Sequence, residues 1–201
     1  MMTRKLLIAT RNSGKVAEYS EMLAMLDVNW VGLNDIGVTL EVDETGATFL
    51  ANAILKAQAF AGETGLMTLA DDSGLEVDAL DGAPGIYTAR YGGAGLSHVQ
   101  RYEHLLNTLV NVPIEQRTAR FRCVIAMAGA DGVLYGTASG KCEGAIAFEP
   151  MGDGGFGYDP VFYLPKLGMT MAQLEANKKN VISHRGRALQ AIEPLIRKVL
   201  T

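Results

Sequence analysis

The sequence predicts an α/β or α+β protein organised on a mixed sheet that contains a hairpin. Two observations carry this reading. Strand-like apolar runs are interleaved with amphipathic helical stretches along the chain. Residues 120–128 and 133–142 flank Asp131-Gly132, a dipeptide suited to a hairpin turn. In order, residues 5–9 form a short buried strand, and residues 15–26 a helix with Val16, Tyr19, Leu23 and Leu26 on one face. A second strand is expected over 29–33, then a polar stretch over 34–46. Residues 48–63 read as a helix whose apolar surface comes from Phe49, Ala53, Leu55, Ala57 and Phe60, with Gly65 ending it. Residues 66–70 form a central strand that runs straight into Asp71-Asp72-Ser73-Gly74, where Asp-Ser-Gly leaves a turn open as the alternative. Gly82-Ala83-Pro84-Gly85 and Gly92-Gly93 punctuate a loop-rich middle, followed by an amphipathic helix over 98–109. After the hairpin, glycines over 152–157 lead to Val161-Phe162-Tyr163. The last helix starts near Ser183, a natural N-cap, and Pro194 should kink or divide it.

Composition bounds what such a protein can do. A chain of 201 residues fits one domain, or two lobes sharing a sheet, and 48% apolar residues suffice for a packed core. A net charge of -4 gives no global attraction to nucleic acid or anionic membrane, yet leaves room for a small phosphorylated ligand held by converging cations. No apolar run reaches the roughly 20 residues that span a bilayer. The opening residues 1–10 lack the apolar region and cleavage site of a secretory leader. Cys123 and Cys142, in separate strand-like segments, are expected to be buried, reduced thiols, so a cytoplasmic location is expected.

Five segments carry chemistry. Thr10, Arg11, Asn12, Ser13, Gly14 and Lys15 lie between a strand and a helix, where helix N–H groups and a lysine can cradle phosphate; a merely capped helix start is the alternative. Asp71 and Asp72 must face opposite sides of an extended chain, and each needs a metal, a lysine or hydrogen bonds if buried. A second acidic group, Glu41, Asp43 and Glu44, precedes the helix on which Asn52 and Lys56 share a face, looking either into a wet cavity or into solvent. Residues 154–160, Gly-Gly-Phe-Gly-Tyr-Asp-Pro, combine a flexible backbone with two aromatics and an acid, a means of stacking a base and reading its edge; the competing reading packs the aromatics inward, above all Tyr158. Lys179, His184 and Arg185 form a donor-rich stretch, whereas His98 and His104 belong to a surface helix without function.

Together, Thr10-x-Asn12-x-x-Lys15, Asp71-Asp72-Ser73-Gly74-Leu75, Gly82-Ala83-Pro84-Gly85, Gly154 to Pro160 and Ser183-His184-Arg185-Gly186 occur in the order seen in the inosine triphosphate pyrophosphatase family. The chain closely resembles its bacterial dITP/XTP pyrophosphatase branch over nearly its whole length. The resemblance implies an elongated twisted mixed sheet with flanking helices, two lobes around a central cleft, a homodimer, and Mg²⁺-dependent cleavage of ITP, dITP and XTP between the α- and β-phosphates. By position, it implies Asp72 as general base and metal ligand and Glu44 as a second metal carboxylate. Residues 10–15 and Lys56 fall around the phosphates. Ser73, Phe156, Gly157, Tyr158, Asp159, Lys179, His184 and Arg185 match nucleotide-binding positions. Ala51 departs from the acidic residue many relatives carry there, which removes a third carboxylate. The competing functions are a general nucleotide phosphatase, a non-catalytic nucleotide-binding regulator, and an RNA-binding module that the acidic charge disfavours.

Overall fold

The computed structural model describes residues 5–26 and 28–200; residues 1–4, part of the opening segment judged to lack a leader, lie outside the described residues. The strands are β1 (Lys5–Ile8), β2 (Asn29–Gly32), β3 (Met67–Val77), β4 (Thr118–Ala128), β5 (Leu134–Ile146), β6 (Phe162–Leu164) and β7 (Met169–Thr170). The helices are α1 (Ser13–Met22), α2 (Phe49–Thr64), α3 (His98–Thr108), α4 (Ala176–Ile182) and α5 (His184–Leu200). Among the described residues the strands form one mixed sheet in the order β2-β1-β3-β4-β5-β6-β7. β1 runs parallel to both β2 and β3, as the intervening helices α1 and α2 allow, whereas β5, β6 and β7 pair antiparallel, β5 and β6 joined by the long segment 147–161 and β6 and β7 by a short one.

The chain divides into two compact units. The first takes the described residues up to Asp72, Cys123–Gly140 and those from Arg185 on; the second is Ser73–Arg122 with Lys141–His184. Each has its own core. In the first, Leu6, Ile8 and Leu69 from the strands pack with Tyr19 of α1, with Leu23 just after it, and with Leu189, Ile192 and Ile196 of α5. In the second, Leu75, Phe121, Ile146 and Phe162 pack with Leu105 of α3, Tyr158 and Met171.

Local chemistry explains the element ends. Asn12 caps α1 by accepting the N–H of Lys15, and Thr48 caps α2 by accepting that of Ala51. Gly65 stops α2 in the left-handed region, with φ +63°, where a side chain would be strained. Ser97 and Gln100 close a reciprocal capping box on α3.

Three expectations change. The central strand does not stop at residue 70, and the turn alternative for Asp71-Asp72-Ser73-Gly74 falls away: β3 continues through that segment to Val77. The last helix does follow Ser183, but a separate helix, α4, precedes it, and α5 runs as one element through Pro194. α1 begins two residues earlier than its apolar spacing indicated and ends at Met22, so Leu23 and Leu26 reach the core from the turn that follows. Cys123 in β4 and Cys142 in β5 are buried free thiols, as expected. No helix among the described residues is long and apolar enough to cross a membrane.

Candidate functional site

In the first unit, β3 outruns β1. Ile8 pairs with Leu69, and the N–H of Ala9 donates to the Leu69 carbonyl at 2.8 Å. Beyond that point the chain after β1 turns away into residues 10–12 and α1 while β3 continues. Side chains of β3 past Leu69 therefore meet loops and helix ends near the carboxyl ends of parallel strands, the usual place for ligands in α/β sheets.

Alternation along β3 then separates the two aspartates. Asp71 accepts from Lys15 Nζ at 2.8 Å, lies 3.5 Å from Arg185 Nη2, and receives the Cys123 thiol at 3.8 Å. Arg185 is held in turn by Glu18 at 2.6 Å. Burial acts to raise the Asp71 pKa, but Lys15, Arg185 and Lys56 outweigh it and hold the carboxyl well below the usual carboxylate range. The same burial, with the Asp71 charge, pushes the Cys123 thiol up to about 12.

Asp72 takes the other environment. It accepts from Asn52 Nδ2 at 3.1 Å and lies 3.5 Å from Lys56 Nζ. Lys56 also reaches Glu44 Oε1 at 2.5 Å, so one ammonium draws two carboxylates together. Asn52 is 1% exposed and uses both ends of its amide, accepting the N–H of Gly46 at 2.8 Å through Oδ1. A Cβ at Gly46 would stand 2.6 Å from that oxygen, so the loop carrying Glu44 can approach α2 only with glycine there. Burial raises the Asp72 pKa above its ordinary value and Glu44 adds to this, with Lys56 opposing. Burial tends to lower the Lys56 pKa, but the charges of Asp72, Asp71 and Glu44 raise it above its usual value. The solvent-facing alternative for Asn52 and Lys56 is thus excluded.

Around these groups, Thr10 and Asn12 spend their side-chain oxygens on local bonds. Thr10 Oγ1 accepts the Asn12 N–H at 3.2 Å, and Asn12 Oδ1 accepts the Lys15 N–H at 3.1 Å. Arg11 donates to the Leu40 carbonyl at 2.8 Å, and Ser13 and Gly14 form the first turn of α1, whose N–H groups lack intrahelical acceptors by geometry.

The second unit holds the remaining predicted residues. Ser73 is half-buried on β3. Asp159 Oδ2 accepts the N–H of Phe156 at 2.8 Å and Lys179 Nζ at 2.7 Å, and that ammonium stands 4.8 Å from the centre of the Phe156 ring. Tyr158 packs inward, donating to the Thr88 carbonyl at 3.0 Å; burial drives its pKa up. Only the main chain of Gly157 and Tyr158 therefore remains to meet a ligand. His184 stacks on Phe121, ring centres 4.7 Å apart. The glycine loop is closely packed rather than merely pliant. Gly154 donates to the Ala172 carbonyl at 3.0 Å, and a Cβ on it would come 2.7 Å from that oxygen.

With this geometry in place, comparison with known proteins is decisive. The Ham1 family profile matches residues 6–195. The chain belongs to the Ham1 family. This Ham1 chain is 49% identical to a dITP/XTP pyrophosphatase of Desulforamulus reducens, covering 97% of this chain and 96% of that one. It is 50% identical to a dITP/XTP pyrophosphatase of Geobacter sulfurreducens, over 96% of each. The solved structure of a HAM1 protein from Coxiella burnetii matches with a TM-score of 0.87 and 39% identity, covering 98% of this chain and all of that one. The mixed α/β fold of the Ham1 chain is thus that of solved family members.

Asp71, Asn52 and Glu18, to which the resemblance assigns no role, are direct partners of Lys15, Asp72 and Arg185. The signals were present: strand alternation assigned Asp71 a face of its own, and Asn52 lies one helical turn before Lys56. Glu18 had no such signal, because its partner Arg185 lies at the other end of the chain. Arg185 itself, expected among base donors, has its guanidinium against Glu18 and Asp71 in the first unit.

Proposed function

We propose that this chain hydrolyses ITP, dITP and XTP to the nucleoside monophosphate and pyrophosphate, removing nonstandard purine nucleotides from the pool. The observation that carries the reading is near-full-length identity of 49–50% to proteins that are dITP/XTP pyrophosphatases. The first unit's side chains support it. Two carboxylates, Glu44 and Asp72, share one ammonium, and this surplus of negative charge makes no sense beside phosphate unless a cation joins it. Mg²⁺ fits such a pair, since it is usually held by one or two carboxylates, waters and phosphate oxygens. Glu44 and Asp72 would hold it, and when bound it supplies Lewis-acid polarisation of the phosphate oxygens.

The chain's own groups do the rest. Asp72 takes the proton of the water that attacks the α-phosphorus, and Asn52 aims its carboxylate. Lys15, Lys56 and the N–H groups at the start of α1 carry the charge of the triphosphate and of the departing pyrophosphate. Thr10, Arg11, Asn12, Ser13 and Gly14 shape that cradle, and Arg185 serves it through Asp71. In the second unit, Phe156 offers a face for the purine. Lys179, His184, Ser73 and the main chain of residues 157–159 supply donors that suit the 6-carbonyl of hypoxanthine and xanthine and mismatch the 6-amino group of adenine. The two units act as one pyrophosphatase domain, and the working form is a homodimer.

The test is a panel of ATP, GTP, ITP, dITP and XTP, with and without Mg²⁺, in which pyrophosphate and inorganic phosphate are quantified separately. Pyrophosphate from ITP, dITP and XTP only when Mg²⁺ is present is the expected result. Inorganic phosphate without pyrophosphate would replace this reading by a general nucleotide phosphatase, and binding without turnover by a regulator.

A further inference from the structure

We propose that Gly155 and Asp159 form a latch that fixes the Phe156 ring for the nucleobase, making both positioning residues for substrate recognition. This rests on the reading of Phe156 as the base-stacking surface. A single atom, Asp159 Oδ2, holds two things at once: the main chain that carries Phe156, through its N–H at 2.8 Å, and Lys179 Nζ at 2.7 Å. Lys179 in turn sets its charge 4.8 Å from the centre of the Phe156 ring. Backbone and ring are therefore tied to one buried carboxylate, and a ring that swings away also leaves its cation. Lost ring freedom in the unliganded protein is freedom that base binding need not remove.

Gly155 keeps the latch shut. It adopts φ +72°, and a Cβ there would land on Asp159 Oδ2, with Cγ only 2.9 Å away and the Asp159 Cβ 3.1 Å away. Any side chain at position 155 has to expel the Asp159 carboxylate from its place. The rest of the loop is anchored separately, by Gly154 N–H on the Ala172 carbonyl at 3.0 Å and Ala172 N–H on the Asp159 carbonyl at 3.2 Å. A substitution at 155 thus releases the ring without detaching the loop. Gly168 supplies the control: its φ is +68°, yet a Cβ there meets nothing within 4 Å. Gly168→Ala carries similar backbone strain with no collision.

The experiment compares Gly155→Ala, Asp159→Ala and Gly168→Ala in the full chain. It measures KM and kcat for ITP with Mg²⁺, calorimetric affinity for IMP, and inhibition by pyrophosphate, with folding checked by circular dichroism. Base stacking on an aromatic ring is worth about 1–3 kcal/mol, so both latch variants should weaken IMP binding and raise the ITP KM by about tenfold. Their kcat should stay within about threefold, because the lost interaction is made equally in the ground and transition states. Pyrophosphate inhibition should not change, and Gly168→Ala should match the wild type in KM, kcat and IMP affinity. Unchanged IMP affinity in a folded Gly155→Ala or Asp159→Ala protein overturns the latch. The double variant Gly155→Ala with Asp159→Gly removes the collision without restoring the carboxylate, so wild-type KM in it would also overturn the proposal. Should Gly155→Ala not fold, Asp159→Ala decides. Wild-type protein that binds IMP but releases no pyrophosphate from ITP would count against the proposed reaction, while the IMP affinities of the variants still test the latch.

Discussion

Replacing Asp71 by Asn probes the charge network under the phosphate cradle. The Asp71 side chain is 1% exposed and its partner Lys15 16% exposed, at a separation of 2.8 Å. Removing one partner of a buried ion pair costs about 3–5 kcal/mol, chiefly because the other charge is stranded. Here Lys15 keeps some contact with water, Arg185 keeps Glu18 at 2.6 Å, and Asn retains one acceptor oxygen. These three features place Asp71→Asn below that range, at about 2–3 kcal/mol. For a chain of this size each kcal/mol shifts the melting midpoint by about 2–4 °C, so a fall of about 5–10 °C is expected. Lys15, no longer held, should also lower kcat/KM for ITP. A thermal melt followed by steady-state kinetics reads both effects. In a double-mutant cycle with Lys15→Met, the two substitutions together should cost clearly less than the sum of the singles. A melting midpoint within about 2 °C of wild type, together with additive behaviour, would refute the argument that Asp71 and Lys15 act as a pair.

Further outcomes follow from the same geometry. Asp72→Asn should keep nucleotide binding while lowering kcat by about 10²–10⁴-fold, the range for losing a positioned base; a variant that retained most of its rate would remove Asp72 from that role. Asn52→Ala frees both Asp72 and the Gly46 loop. It should therefore raise the Mg²⁺ concentration needed for half-maximal rate by about 10–100-fold, the usual effect of losing a group that orients a ligand, and an unchanged Mg²⁺ titration would count against it. Cys123, with its pKa pushed up to about 12 by burial and the Asp71 charge, should resist iodoacetamide at pH 8 in the native protein. It should react readily once unfolded, as peptide mass mapping of the labelled chain would show.

The sequence was most legible where a local rule operates alone. β1, β2, α2 and α3 lie within about a residue of where the pattern placed them; for the two helices, Thr48, Gly65 and Ser97 fix the ends by bonds within a few residues. β3 runs past residue 70, where its apolar run ends, because strand pairing and the ion pairs of Lys15, Arg185 and Lys56 outweigh the turn preference of Asp-Ser-Gly. α4 escaped because it is one short helix whose buried member, Lys179, is a charged residue. In the candidate site, residue types were readable and partnerships were not. That Asp72 needed a partner followed from the cost of burying it, but that Asn52 and Lys56 supply one depends on how α2 docks. The expected flexibility of the glycine loop also missed its use: Gly154 and Gly155 are required by neighbours that no local pattern announces.

The continuity of β3 through Asp71 and Asp72 makes that strand intolerant of changes in length. Because neighbouring side chains point to opposite faces, inserting or deleting one residue between Met67 and Asp71 would present each aspartate to the other's partners. Asp72 would face Lys15 and Arg185, and the carboxylate proposed to handle the proton would be locked in its charged form. Loops of this protein can drift in length over evolution, but this segment is expected to vary only by substitution, its count of residues as binding a constraint as their identity.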